Sequence, residues 1–182
     1  MRNFIFLSIL SISFYSISCP SLLDEEVRAL DSDQYLNFCD MQGKVILVVN
    51  VASRCGYTYQ YDGLQKLYQN YKDEGLIVLG FPSRDFWQEL RDESKVADFC
   101  STTYGVTFPM LATTKVRGKN AHSFYHKLAK ATGHYPSWNF NKYLIYRDGE
   151  TVKRYKQGVD PDSGILLTDL KEALEQDSNL IN

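Results

Sequence analysis

Four cysteines, at positions 19, 39, 55 and 100, are the side chains of this chain best suited to nucleophilic or redox chemistry. They form no C-x-x-C pair and no paired knuckle spacing, which favours reactive or buried thiols over structural disulfides or zinc ligands. Cys39, in Asn37-Phe38-Cys39-Asp40, reads as a packed thiol. Cys55 is different. It lies in Ala52-Ser53-Arg54-Cys55-Gly56, just past the apolar run Val45 to Val51 and just before a helical pattern. At the carboxyl end of a strand and the amino end of a helix, backbone N–H groups and the helix dipole favour a thiolate, and the thiolate is the nucleophile. Arg54 adds positive charge if its guanidinium folds back. A buried cysteine behaving as a small hydrophobe fits the same position, and flanking polarity alone leaves both readings open. His122 and His126 stand four apart on an expected helix face, but no third ligand lies at a suggestive distance, so they read as a solvated pair.

The elements that must position Cys55 follow from periodicity. Val45 to Val51 is β-branched and continuously apolar, the pattern of a central strand covered on both faces. Gly56 to Gly63 is a polar turn region; Leu64, Leu67, Tyr68 and Tyr71 then recur at helical spacing until Gly75 supplies a cap. Leu76 to Phe81 is a second buried strand, completing a right-handed βαβ unit. Helices are predicted over Glu93 to Thr103, Ala121 to Ala131 and Leu166 to Leu174, with a β-hairpin over Lys142 to Tyr155 turning at Asp148-Gly149. Phe108-Pro109 admits either peptide isomer. This order predicts an α/β thioredoxin-like fold, a central mixed β-sheet flanked by helices, with one domain over residues 19–182.

Composition narrows the partners. The chain is 44% hydrophobic and carries 20 basic and 22 acidic residues, a formal charge of −2 without a basic run, which argues against nucleic acid. Residues 1–18 read as a signal peptide: Arg2, an apolar run from Phe4 to Tyr15, then Ser16-Ile17-Ser18 as a small-x-small cleavage site. Export to a periplasm or the exterior is expected. Cys19, directly after the small residues, also admits a lipid anchor, although Ser16 stands where a lipoprotein signal usually has leucine.

Four ordered segments between about Leu30 and Tyr155 resemble the glutathione peroxidase family. The first runs from Gly43-Lys44-Val45 through Asn50-Val51-Ala52-Ser53-Arg54-Cys55-Gly56-Tyr57-Thr58 to Gln60-Tyr61-Asp62-Gly63-Leu64. The second is Gly80-Phe81-Pro82-Ser83-Arg84-Asp85-Phe86 with Gln88-Glu89. The third is Phe99-Cys100 with Tyr104-Gly105-Val106-Thr107-Phe108-Pro109, and the fourth is Trp138-Asn139-Phe140 with Lys142-Tyr143-Leu144. The resemblance implies the thioredoxin-like fold and a peroxidase that reduces hydrogen peroxide and organic or lipid hydroperoxides. It implies Cys55 as the peroxidatic residue, supported by Gln88, Trp138 and Asn139, whose amide and indole N–H groups are donors to a thiolate and to a departing oxygen. It also implies Cys100 as the resolving cysteine, no prosthetic group, and thioredoxin or glutathione as the thiol co-substrate.

Departures from the family pattern fall in the second segment. The usual glycines after Phe86 and the usual proline after Glu89 are missing, leaving Phe86-Trp87-Gln88-Glu89-Leu90 one residue shorter, which leaves the placement of Gln88 open. Arg84 replaces a common asparagine and Tyr59 a common proline. The short segment from His122 to Trp138 lacks the assembly loop of tetrameric members, which predicts a monomer or weak dimer. No basic cluster around Cys55 marks a glutathione carboxylate site, so a thioredoxin-like reductant is favoured. The alternative function is a peroxide sensor or thiol-exchange module with little sustained turnover.

Overall fold

A computed structural model describes residues 18–176. The signal-peptide expectation therefore lies almost wholly outside the described residues. Strands β1 (Glu26–Arg28) and β2 (Tyr35–Asn37) form an antiparallel hairpin that the sequence reading did not anticipate. Three residues per strand are too few to show an alternation. The main sheet contains β3 (Val45–Val51), β4 (Leu76–Pro82), β5 (Lys142–Ile145) and β6 (Val152–Tyr155) in the order β4-β3-β5-β6. β3 runs parallel to β4 and antiparallel to β5, and β6 extends the antiparallel side, so the sheet is mixed as expected.

Every residue of β3 is buried, and its alternation divides the core. Val45, Leu47, Val49 and Val51 pack towards α1 (Gln60–Tyr71), α2 (Glu93–Tyr104) and α4 (Gly164–Glu175); Ile46 and Val48 pack towards α3 (Ser123–Thr132) and the N-terminal segment. A strand covered on both faces explains why no polar residue interrupts the run before Asn50. Asn50 itself is fully buried and spends its amide on the chain's second crossing, with Nδ2 donating to the Trp138 carbonyl at 2.9 Å and Oδ1 accepting from Asn141 N at 3.1 Å.

The predicted helices are present with shifted ends. α1 starts at Gln60 rather than Leu64, because Thr58, Gln60, Tyr61 and Asp62 each donate to the carbonyl three residues back and wind the polar turn directly into the helix. Past α1 a 3-10 turn ends on Gly75 at φ 103°, the expected cap. The hairpin turn is held by Asp148, whose Oδ1 accepts from the backbone of Glu150 and Thr151. The Phe108–Pro109 bond is trans.

One cysteine expectation is overturned. Cys19 and Cys39 form a disulfide with their Cα atoms 5.5 Å apart. Linear spacing concealed it: the turn from Pro20 to Leu23 and the 3-10 turn Phe38–Met41 bring the two residues together, and no dense cysteine framework accompanies them.

Candidate active site

Cys55 sits in the loop between β3 and α1, buried with 8% of its surface exposed. The turn is clamped by Thr58: its Oγ1 accepts from Cys55 N at 3.0 Å and donates to the Cys55 carbonyl at 2.6 Å. The backbone N–H of Tyr57 points at Cys55 Sγ at 3.5 Å. The sulfur thus faces a backbone donor at the entry to α1. Thr58 belongs to the quoted motif, but its clamping role was not foreseen, since a threonine between two tyrosines gives no signal of its own.

The loop after β4 comes back against this turn. Arg54 N donates to the Gln88 carbonyl at 2.9 Å, and Ser53 donates to Glu89 Oε1 from its N at 3.2 Å and its hydroxyl at 2.6 Å. From the end of β5's approach, Asn139 Nδ2 donates to Gln88 Oε1 at 2.9 Å. The shortened segment therefore does not carry Gln88 away from Asn139. Two features compensate for the lost glycines and proline. Trp87 takes the left-handed conformation that glycine would favour, φ 59°, and Arg84 folds back so that its guanidinium donates to the carbonyls of Leu90 and Arg91. Phe140 is also left-handed, φ 61°, so each partner of the Gln88–Asn139 bond has a strained neighbour.

Trp138 is half-buried, its ring 5.3 Å from that of Phe86 and its carbonyl held by Asn50 and Asn141. Its indole N–H, like Gln88 Nε2, has no acceptor among the described residues. Lys142, next on β5, is fully buried and donates to Gln60 Oε1 and to the Val159 carbonyl at 2.6 Å, fixing the start of α1; burial lowers its ammonium to about 7. Tyr59, in place of the common proline, donates from its hydroxyl to Asp160 at 2.8 Å.

Cys100 is a free thiol in the middle of α2, 2% exposed, with Sγ 3.4 Å from the Tyr61 hydroxyl. Burial pushes it up to about 11, and the same burial raises Tyr61 well above the usual phenol range. α2 buries only Val96 and Cys100 fully. Its N-terminal end is anchored: Glu93 accepts from Arg28 at 2.6 Å and from Thr113 N at 2.7 Å. Its C-terminal half is Ser-Thr-Thr, with Ser101 and Thr102 bonding back to the Asp98 carbonyl, a pattern that weakens helices.

The surface around Trp87 carries charge of both signs, with Glu89, Asp92 and Asp85 among several basic side chains. Trp87 is 89% exposed; Arg54, Arg91 and Lys95 line a shallow cleft on one side of it, and Lys115, Arg117 and Lys119 one on the other. Basic residues do cluster there. They come from separate loops, which is why no run of charge showed them. His122 and His126 are engaged separately: His122 Nδ1 accepts from Phe124 N as the cap of α3, and His126 Nδ1 lies 2.6 Å from the Tyr135 hydroxyl.

A mixed sheet in this order, with helices on both faces, defines the thioredoxin-like fold, and Cys55 stands in the loop after its central strand. The family model for glutathione peroxidase matches residues 22–129, and the chain belongs to that family. It is 41% identical over 155 residues to a glutathione peroxidase of Lactococcus lactis, covering 82% of this chain and 93% of that one. It is 43% identical over 134 residues to a hydroperoxy fatty acid reductase of Synechocystis, covering 68% of this chain and 79% of that one. The crystal structure of Trgpx in apo form superposes with a TM-score of 0.69 at 34% identity, covering 87% of this chain and 98% of that one. The chain is accordingly a peroxidase, an oxidoreductase that takes a hydroperoxide and a thiol reductant.

Proposed function

We propose that the chain reduces hydrogen peroxide and organic hydroperoxides, lipid ones included, through Cys55, with Cys100 resolving the oxidised sulfur and a thioredoxin-like protein or glutathione restoring the thiols. The Cys55 thiolate attacks one peroxide oxygen, the O–O bond breaks, and hydroxide or alkoxide departs, leaving a sulfenic acid. The observation that carries this reading is the Tyr57 N–H aimed at Cys55 Sγ. Gln88 Nε2 and the Trp138 indole N–H supply donors for the departing oxygen, with Asn139 orienting Gln88. The Synechocystis relative's name supports a fatty-acid hydroperoxide among the substrates.

Resolution requires Cys100 to leave Tyr61 and come within disulfide reach of Cys55. The anchored start and weak C-terminal half of α2 support an opening in which that half unwinds about its N-terminal end. The cationic clefts beside Trp87 suit the carboxylates of glutathione or an acidic face of a protein reductant, so both stay as arms of the test.

Export is part of the same proposal. A disulfide persists in an oxidising compartment, and Cys19–Cys39 supports the leader-like pattern of residues 1–18. The same disulfide uses the sulfur that a lipid would need, so the mature chain is proposed without an anchor at Cys19. A monomer or weak dimer is proposed for its assembly.

The test is steady-state reduction of cumene hydroperoxide with glutathione or with a thioredoxin system, for the native chain, Cys55→Ser and Cys100→Ser. Thioredoxin-supported turnover that disappears in both variants is the expected result, with Cys55→Ser losing on the order of 10³-fold or more. Glutathione turnover surviving in Cys100→Ser would make this a one-cysteine enzyme. No turnover with either reductant would leave a peroxide sensor.

A further inference from the structure

Glu89 is a carboxyl group that the peroxide chemistry above does not use. It is buried, 8% exposed, and its two oxygens are unequal. Oε1 accepts from Ser53 N, Ser53 Oγ and Leu90 N at 3.2, 2.6 and 2.7 Å. Oε2 is buried without a hydrogen-bond partner. Such an atom is costly for a structure to keep, and a buried carboxylate held by one oxygen with the other free is poised to accept a proton.

Its surroundings say whose proton. Ser53, which holds it, is two residues from Cys55. Cys100 from α2 and Tyr61 from α1 both lie within reach of its charge, which opposes ionisation of each. Arg84 faces it from its own loop, and Arg54 from the Cys55 turn lines the shared cleft together with Arg91, Asp92 and Lys95. Burial raises Glu89 above the ordinary carboxylate range, which brings it closer to a useful proton acceptor near neutrality. Cys100, whose ordinary value of 9.0 burial in α2 raises further, is almost wholly protonated at neutral pH and is a poor nucleophile without a base.

We propose that Glu89 is the proton-transfer group of the resolving step, its Oε2 taking the proton of Cys100 and returning it to the hydroxide that leaves Cys55. The inference rests on the two-cysteine reading above. In that step the Cys100 sulfur attacks the Cys55 sulfur, the S–O bond of the sulfenic acid breaks, and a disulfide and one water form. Cys100 sulfur is oxidised as Cys55 sulfur is reduced by the same amount, and Glu89 ends as the carboxylate it began as. Glu89 stays bound to the Cys55 turn through Ser53 while α2 moves, so it remains at the place where Cys100 arrives.

The experiment follows one turnover of the full chain after a single equivalent of hydrogen peroxide. Rapid quenching separates formation of the Cys55 sulfenic acid from formation of the Cys55–Cys100 disulfide, both read by mass. In Glu89→Gln, which keeps an oxygen for Ser53, the first phase should stay within about twofold and the second fall about 10²-fold at neutral pH. The second phase should then climb tenfold per pH unit as more Cys100 ionises, whereas the native chain should be flat from the Glu89 titration up to about pH 9, where the two rates meet, and slower below the Glu89 titration. Glu89→Asp should recover part of the rate. Equal slowing of both phases, or an unchanged second phase in Glu89→Gln, would overturn the inference while leaving the two-cysteine reading intact. If Glu89→Gln does not fold, a native second phase that climbs tenfold per pH unit through the whole neutral range, without a plateau, overturns it equally. A native chain that never forms the Cys55–Cys100 disulfide would overturn both.

Discussion

The chain holds two pairs of cysteines in opposite states. Cys19 and Cys39 are joined across the N-terminal segment, while Cys55 and Cys100 are both buried and both free. The difference lies in what holds each sulfur. Two short turns bring Cys19 and Cys39 together, and nothing has to move for their bond to persist. Cys55 is held by Thr58 and Tyr57 in a rigid turn, and Cys100 is held by Tyr61 inside a helix with little burial of its own. A closed pair suits stability; under the proposed mechanism the open pair suits turnover.

The largest effect that would sharpen this contrast is expected at the open pair's support. Asn139→Ala removes the amide that orients Gln88 and should lower the rate of Cys55 oxidation about 10²-fold, with thermal stability changed far less. Stopped-flow oxidation by hydrogen peroxide measures it. A fall in melting temperature with an unchanged oxidation rate would show that the Asn139–Gln88 bond belongs to the fold and not to the chemistry.

Legibility followed the same division. The sheet, the helices and the place of Cys55 after the central strand were readable because a doubly covered strand is continuously apolar and a helix repeats its buried residues. Gln88, Trp138 and Asn139 were named only through the resemblance, since none carries a local signal. The short second segment left the placement of Gln88 open; the left-handed Trp87 and the back-folded Arg84 accompany its bond to Asn139, and neither shows in composition. The Cys19–Cys39 bond, the cation-lined clefts and the orphaned Glu89 oxygen all depend on loops meeting in space, which periodicity does not record.

Breaking the closed pair should cost stability and leave chemistry alone. Joining residues separated by 20 positions corresponds to about 3 kcal/mol of lost loop freedom in the unfolded chain. The double variant Cys19→Ser, Cys39→Ser is expected to unfold at lower denaturant while reducing peroxide at the native rate. Loss of activity at full stability would instead tie the N-terminal segment to the active site.

The open pair also predicts a pH dependence. Cys100 is raised from its ordinary 9.0 to about 11 by burial, so the native state keeps its proton where the unfolded chain releases it. Its contribution to stability is complete below about pH 9 and is lost as pH rises towards 11, a change of roughly 2 to 3 kcal/mol. Denaturation of the native chain and Cys100→Ala across that window should show the native chain losing more. Iodoacetamide at pH 8 should modify Cys55 and spare Cys100 until the chain is unfolded.

The smallest effect concerns the strain beside Gln88. Trp87 holds φ 59° with its ring 89% exposed, so almost no packing offsets the left-handed conformation, which costs a non-glycine residue about 1 to 2 kcal/mol. Trp87→Gly removes that cost but adds freedom to the unfolded chain, so the net gain should be about 1 kcal/mol or less. If the ring served only as a loop cover, peroxide reduction would be unchanged. A glycine variant that is more stable but needs more reductant for half-maximal turnover would show that the strained tryptophan, standing between the two cationic clefts, is kept for the reductant. An unchanged requirement would place the reductant elsewhere and leave Trp87 as a cost of the shortened segment.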